Sequence, residues 1–207
     1  EIMLVSKGPK FQKGLSAPAN LYNQYFGSGL SSIVFQEIRE SKALAYSAYS
    51  VFTTPDRLDK SHYVRAYIGA QVDKLPEATD AMLELMSDMP RSDIQFENAR
   101  DAALKQIEAN RITRESIFWS YLTAKRRGLD YDIRKENYEV LQNMTFEDLK
   151  AFFDQNIKGS SYTYLVIGNE ELMKLDQLEK LGPVEVLSLE ELFGYGPDEK
   201  PSLSMAQ

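Results

Sequence analysis

Gly27–Val51 reads GSGLSSIVFQEIRESKALAYSAYSV, and its period changes partway along. Leu30, Ile33, Val34 and Ile38 recur at helical spacing on one face, with Glu37 and Glu40 turned away. From Ala43 the repeat shortens to two. Leu44, Tyr46, Ala48 and Ser50 fall on one side, and Ala45, Ser47, Tyr49 and Val51 on the other. The stretch therefore predicts a helix that ends near Arg39 and feeds a strand led by Tyr46. A cation in a last helical turn is favoured by the macrodipole, and a tyrosine suits a strand. Each residue thus has a complete structural explanation. A helix end running into a strand also brings both side chains toward one edge. There, a guanidinium and a phenol form a donor pair suited to a peptide carbonyl or a developing oxyanion.

Outward from this stretch, EIMLVSK predicts a first strand, followed by a Gly/Pro/Lys loop. Ser16 stands where a helix N-cap would, ahead of Leu21, Tyr22, Tyr25 and Phe26 at helical spacing. Past the central stretch, a polar turn leads into YVRAYIGAQV, a second strand expected to neighbour ALAYSAYSV. Leu75, Ala78, Met82, Leu85 and Met89 mark one amphipathic helix, and Phe96, Ala99, Ala103 and Ile107 a second. Ser92 with Gln95 has the form of a capping box at the start of that second helix. ESIFWSYLTAKRRG predicts a further helix stopped by Gly128, and Thr145 with Asp148 signals the start of another. SYTYLVIGN predicts a returning strand buried on both faces, since Leu165, Val166 and Ile167 run consecutively. A short helical patch follows in EELMKLDQLEKLG, and then the stretch PVEVLSLEELFGYG.

Strands first, then a block of helices, then one more strand predict an α+β layered domain with an antiparallel or mixed sheet. No Pro/Gly/Ser linker interrupts it. One domain over residues 1–197 is expected, with 198–207 as a flexible tail.

The 207 residues carry a formal charge of −7, the wrong sign for a phosphate-backbone partner, so no nucleic acid is expected. No apolar run nears the ~18 residues of a membrane span. Cysteine is absent, which removes disulfides and thiolate metal sites. His62 is the single histidine, too few for a catalytic zinc site and expected at the surface or half-buried. Gly27-Ser28-Gly29 is neither a dinucleotide fingerprint nor a P-loop. No Gly-x-Ser-x-Gly elbow exists for a serine nucleophile. The chain opens at Glu1 without Met or a signal-peptide pattern, so it is expected to be a piece of something larger or a trimmed product.

YFGSGLSSIVFQEIRESKALAYSAYS resembles a segment of the pitrilysin/insulinase family of zinc peptidases, which includes the mitochondrial processing peptidases. Gly27, Gly29, Leu30, Ser31, Ser32, Phe35, Gln36, Glu37, Arg39, Glu40, Leu44, Ala45, Tyr46 and Ser47 agree in register. The likeness runs on through the second strand, the long helices and YLVIGN. It departs at Lys42-Ala43, where the family often has Arg-Gly, and at Ile33, where an arginine commonly follows Ser-Ser.

The resemblance implies a LuxS/processing-peptidase-like metallohydrolase fold and a division of labour between two halves around a chamber. The N-terminal half of the family bears an H-x-x-E-H zinc motif, which this chain lacks. This chain thus resembles the last, zinc-free domain. Zinc is expected in the N-terminal half, which would be part of the same chain or a partner subunit. The substrate would be a peptide, lying along an exposed strand edge such as ALAYSAYSV. By analogy, Tyr46 would hydrogen-bond the scissile carbonyl and Arg39 would hold the substrate backbone. The alternative is an inactive structural or peptide-binding subunit of the same fold. Family analogy favours a periplasmic or secreted setting, other members being cytosolic or organellar.

Overall fold

In the computed structural model the described residues are 1–169, 172–173 and 175–194. Two compact units divide the chain, Glu1–Met173 and Lys174–Gln207. The expected tail, 198–207, lies outside the described residues.

In the first unit, β1 (Ile2–Lys10), β2 (Ser47–Thr53), β3 (Ser61–Gly69) and β4 (Thr163–Val166) form one sheet in the order β2-β3-β1-β4. Every neighbouring pair is antiparallel, as expected of an α+β layer. ALAYSAYSV does pair with the second predicted strand, in the register Ser47↔Gly69 to Thr53↔Tyr63. Period two places Ile2 and Leu4, Ala48, Ser50 and Phe52, and Val64, Ala66 and Ile68 on one buried face.

Helices cover that face. α1 (Ser16–Tyr22) runs directly into a π-helical turn, Asn23–Gly27, and together they bury Leu21, Tyr22, Tyr25 and Phe26. The Tyr22 ring stacks on Phe26 at 5.2 Å, and Phe52 meets Phe152 edge-on at 5.1 Å. Each such fully buried side chain contributes roughly 1.5–3 kcal/mol from area alone. The Tyr22 hydroxyl shares a 2.7 Å hydrogen bond with buried Ser50, so neither polar group is left unpaired. Burial pushes the Tyr22 phenol well above its ordinary pKa.

The remaining helices are α2 (Leu75–Ser87), α3 (Asp93–Ala109), α4 (Arg114–Arg126), α5 (Arg134–Asn143) and α6 (Phe146–Asn156). Leu75, Ala78, Met82, Leu85 and Met89 are all buried, as the α2 stripe requires, and so are Phe96, Ala99 and Ala103 of α3. Ser92 accepts from the Gln95 N–H at 3.4 Å, and Thr145 and Asp148 complete a full reciprocal cap at α6. Gly128, in the left-handed region at φ 73°, follows α4. α4 itself buries none of its residues. In the second unit the short helix α7 (Leu175–Leu178) falls in the predicted helical patch, and a second, α8 (Leu189–Phe193), forms in the stretch after it.

Four expectations need correction. Ser16 does not cap α1: Leu15 is the N-cap, and the Ser16 hydroxyl is buried without a hydrogen-bond partner among the described residues. Leu30 is 71% exposed because it lies in a turn, and helical geometry begins only at Ile33. The returning strand is not buried on both faces, since Leu165 is 55% and Ile167 75% exposed. Among the described residues β4 is an edge strand paired with β1 alone, and the side chains on its outer face are exposed. His62 is fully buried rather than at the surface or half-buried.

Candidate functional site

The π-helical segment Phe35–Ser41 carries Arg39 in its last turn. Its widened i→i+5 bonding is of the kind often found at functional positions. The Lys42 N–H returns to the Glu37 carbonyl at 3.1 Å. Ala43 then adopts φ 50°, and this left-handed residue reverses the chain so that the Leu44 N–H donates to the Ile38 carbonyl at 2.9 Å. Leu44 is buried by that closure. Glycine is the residue that enters this region without a steric cost, which gives a physical meaning to the departure noted at Lys42-Ala43.

The turn delivers Tyr46 to the start of β2. The Tyr46 N–H donates to the Gly69 carbonyl at 2.8 Å, which ties it to the end of β3. Its side chain does not share the buried face with Leu44, Ala48 and Ser50. It is 68% exposed, because the backbone bends at Tyr46 before strand geometry begins at Ser47.

Arg39 and Tyr46 line one open depression of about 380 Å³, together with Glu40, Ala43, Leu44, Ala45, Gln71 and Lys74. The Arg39 guanidinium lies 4.7 Å above the Phe35 ring, and its Nε is 3.7 Å from the Glu40 carboxylate. Both contacts leave it accessible, and an exposed pair of this kind is weak. The Tyr46 hydroxyl accepts a hydrogen bond from Gln71 Nε2 at 2.8 Å. Sequence reasoning singled out Arg39 and Tyr46 but missed Gln71 and Lys74. The seven residues between Thr53 and Ser61 are too long a connection to fix the β2–β3 register from turn rules, and that register, with Ser47 against Gly69, is what brings Gln71 within reach of the Tyr46 hydroxyl.

A larger depression, about 560 Å³, lies beside α4 and is lined by Trp119, Tyr121, Leu129 and Arg134 among others. Both guanidiniums in its lining already have partners, Arg134 holding Asp132 and Arg127 donating to the Pro55 carbonyl at 2.8 Å.

The described residues do not fit a zinc ion. His62 stacks against Phe52 at 4.9 Å and Phe11 at 6.2 Å, and its Nε2 accepts the Gln12 N–H at 3.3 Å. Nδ1 does not reach hydrogen-bond geometry with any described residue, and burial outweighs the opposing pull of the Thr53 backbone, so the imidazole pKa sits below its ordinary value. Among the described residues no group of three or more His, Asp or Glu side chains could hold a metal ion. Among them, too, no helix is long and apolar enough to cross a membrane.

Residues 1–102 match the family described as Peptidase M16 inactive domain. Among solved structures, the chain is similar to a protease from Helicobacter pylori, at 16% identity and a TM-score of 0.65 over 80% of this chain and 41% of that one. It is similar to a peptidase M16 inactive domain from Pseudomonas fluorescens, at 18% and 0.65 over 79% and 39%. It is also similar to a chain of complex III2 from Candida albicans, Inz-5 bound, at 12% and 0.61 over 88% and 46%. At such identities the likeness is one of fold. The chain spans about two fifths of the first two, 41% and 39%. No curated protein matches it.

Proposed function

We propose that this chain, whose residues 1–102 match the family described as Peptidase M16 inactive domain, is the C-terminal, zinc-free domain of a zinc-dependent peptidase. It closes a proteolytic chamber and binds extended peptide. A zinc ion held by an N-terminal half would supply the activated water, and no step of this chain's own chemistry runs through a metal. Tyr46 donates its hydroxyl hydrogen to the scissile carbonyl as that oxygen gains charge. Arg39 holds the peptide backbone beside it through its forked donors. A periplasmic or secreted setting follows the same family analogy.

The observation that carries this reading is the shared depression. Two donors seven residues apart, one on a π-helical end and one before a strand, both stand open to a ligand there. The peptide's place follows from the strand edge. At the C-terminal end of β2, Phe52 already exchanges both backbone hydrogen bonds with the Asn23 side chain, at 2.8 and 3.1 Å. Strand addition is therefore confined to the end near Tyr46.

The test is Tyr46→Phe in the complete peptidase. Loss of one oxyanion donor lowers kcat on the order of 10²–10³-fold, with KM little changed. Unchanged kcat removes the role. A reconstituted pair of halves without any peptide hydrolysis, wild-type included, supports an inactive structural or peptide-binding subunit instead.

A further inference from the structure

We propose that Gln71 is a positioning residue for Tyr46: its side-chain N–H fills the acceptor side of the phenol oxygen and so turns the Tyr46 O–H toward the open depression. This rests on the reading of Tyr46 given above.

An exposed tyrosine hydroxyl rotates freely and spends its hydrogen on water. Here the oxygen is held at 2.8 Å by Gln71 Nε2, and the partners' backbones are themselves anchored. The Tyr46 N–H is bonded to Gly69, and the Gln71 carbonyl accepts from the Lys74 N–H at 3.1 Å, at the head of a 3₁₀ turn, Val72–Lys74. A phenol has one hydrogen to give and lone pairs to receive. With the lone-pair side occupied by an amide N–H, the hydrogen is left for an incoming acceptor. Among the described residues no acceptor takes a hydrogen bond from it. The order N–H to O–H to carbonyl oxygen is a chain of donors running one way. Such chains polarise each link, most strongly when the final oxygen carries charge. Gln71 therefore acts through Tyr46 and has its largest effect in the transition state.

The experiment is a double-mutant cycle in the complete peptidase with wild type, Gln71→Met, Tyr46→Phe and the double variant, together with an amide spectrum of this chain. Methionine keeps the length of the side chain and removes the donor. Gln71→Met is expected to lower kcat about 5- to 10-fold, the worth of one net hydrogen bond, while KM moves little. In the Tyr46→Phe background the same change is expected to alter kcat by less than about twofold, since its target is gone. A residue with a merely structural role lowers kcat by the same factor in both backgrounds, and that result overturns the proposal. So does a Gln71→Met enzyme with wild-type kcat when Tyr46→Phe is strongly impaired. If Tyr46→Phe itself leaves kcat intact, the site reading falls first and this inference with it. The spectrum separates the two failures: the Gln71 side-chain amide resonances shift in Tyr46→Phe if the hydrogen bond exists, whatever the activity. Resonances that stay in place overturn the inference alone.

Discussion

The sheet ends in two edge strands that are finished differently. Along β2, the π-helical turn after α1 is pressed against the strand so closely that a Cβ on Gly27 would lie 1.5 Å from the Ser50 carbonyl oxygen. Two residues further along the strand, the Asn23 amide completes the outward bonds of Phe52. On β4 Leu165 is exposed instead, as is Ile167 just past its end. A protected edge holds its backbone still, and the Arg39–Tyr46 depression sits where that protection stops. The comparison teaches that an edge strand can be made rigid enough to carry a site only if a neighbouring element takes up its unpaired groups.

Breaking the protected edge at its tightest contact gives the largest expected effect. Gly27→Ala cannot be housed without moving the π-helical turn off β2, so a loss of more than about 3 kcal/mol is expected in urea unfolding. Asn23→Ala leaves the Phe52 N–H and carbonyl without partners and costs about 2 kcal/mol, read the same way. Ala43→Gly acts in the opposite direction. It relieves a left-handed alanine at the turn that orients Tyr46, and raises stability by about 1 kcal/mol. At the other edge Leu165→Thr falls within about 0.5 kcal/mol of wild type, because the side chain is already in water. A large loss at Leu165 would erase the contrast between the edges.

Periodicity made the fold legible where one face is buried. The α2 stripe from Leu75 to Met89 and the alternation through Ala48, Ser50 and Phe52 follow directly from apolar spacing. It misled at Leu165 and Ile167, since a continuous apolar run marks a doubly covered strand only if something covers the second face. Leu30 failed for a related reason: helical spacing says nothing about where the helix starts. Ser16 has the chemistry of a cap, but its hydroxyl is not aimed at a free N–H. Within the candidate site, Arg39 and Tyr46 were legible because they belong to one continuous stretch, whereas Gln71 depends on a cross-strand register. His62 was misplaced because a lone polar residue near a turn gives no sign of the Phe11 and Phe52 rings that enclose it.

The central claim is that Tyr46 meets the reacting carbonyl as it gains charge rather than the resting substrate. The most direct measurement compares, in the complete peptidase, binding of a tetrahedral transition-state analogue with binding of the matching substrate peptide, for wild type and Tyr46→Phe. The expected result is an analogue weakened on the order of 10²-fold and a substrate affinity within about threefold of wild type. Equal losses for both ligands, or no loss for either, would contradict it.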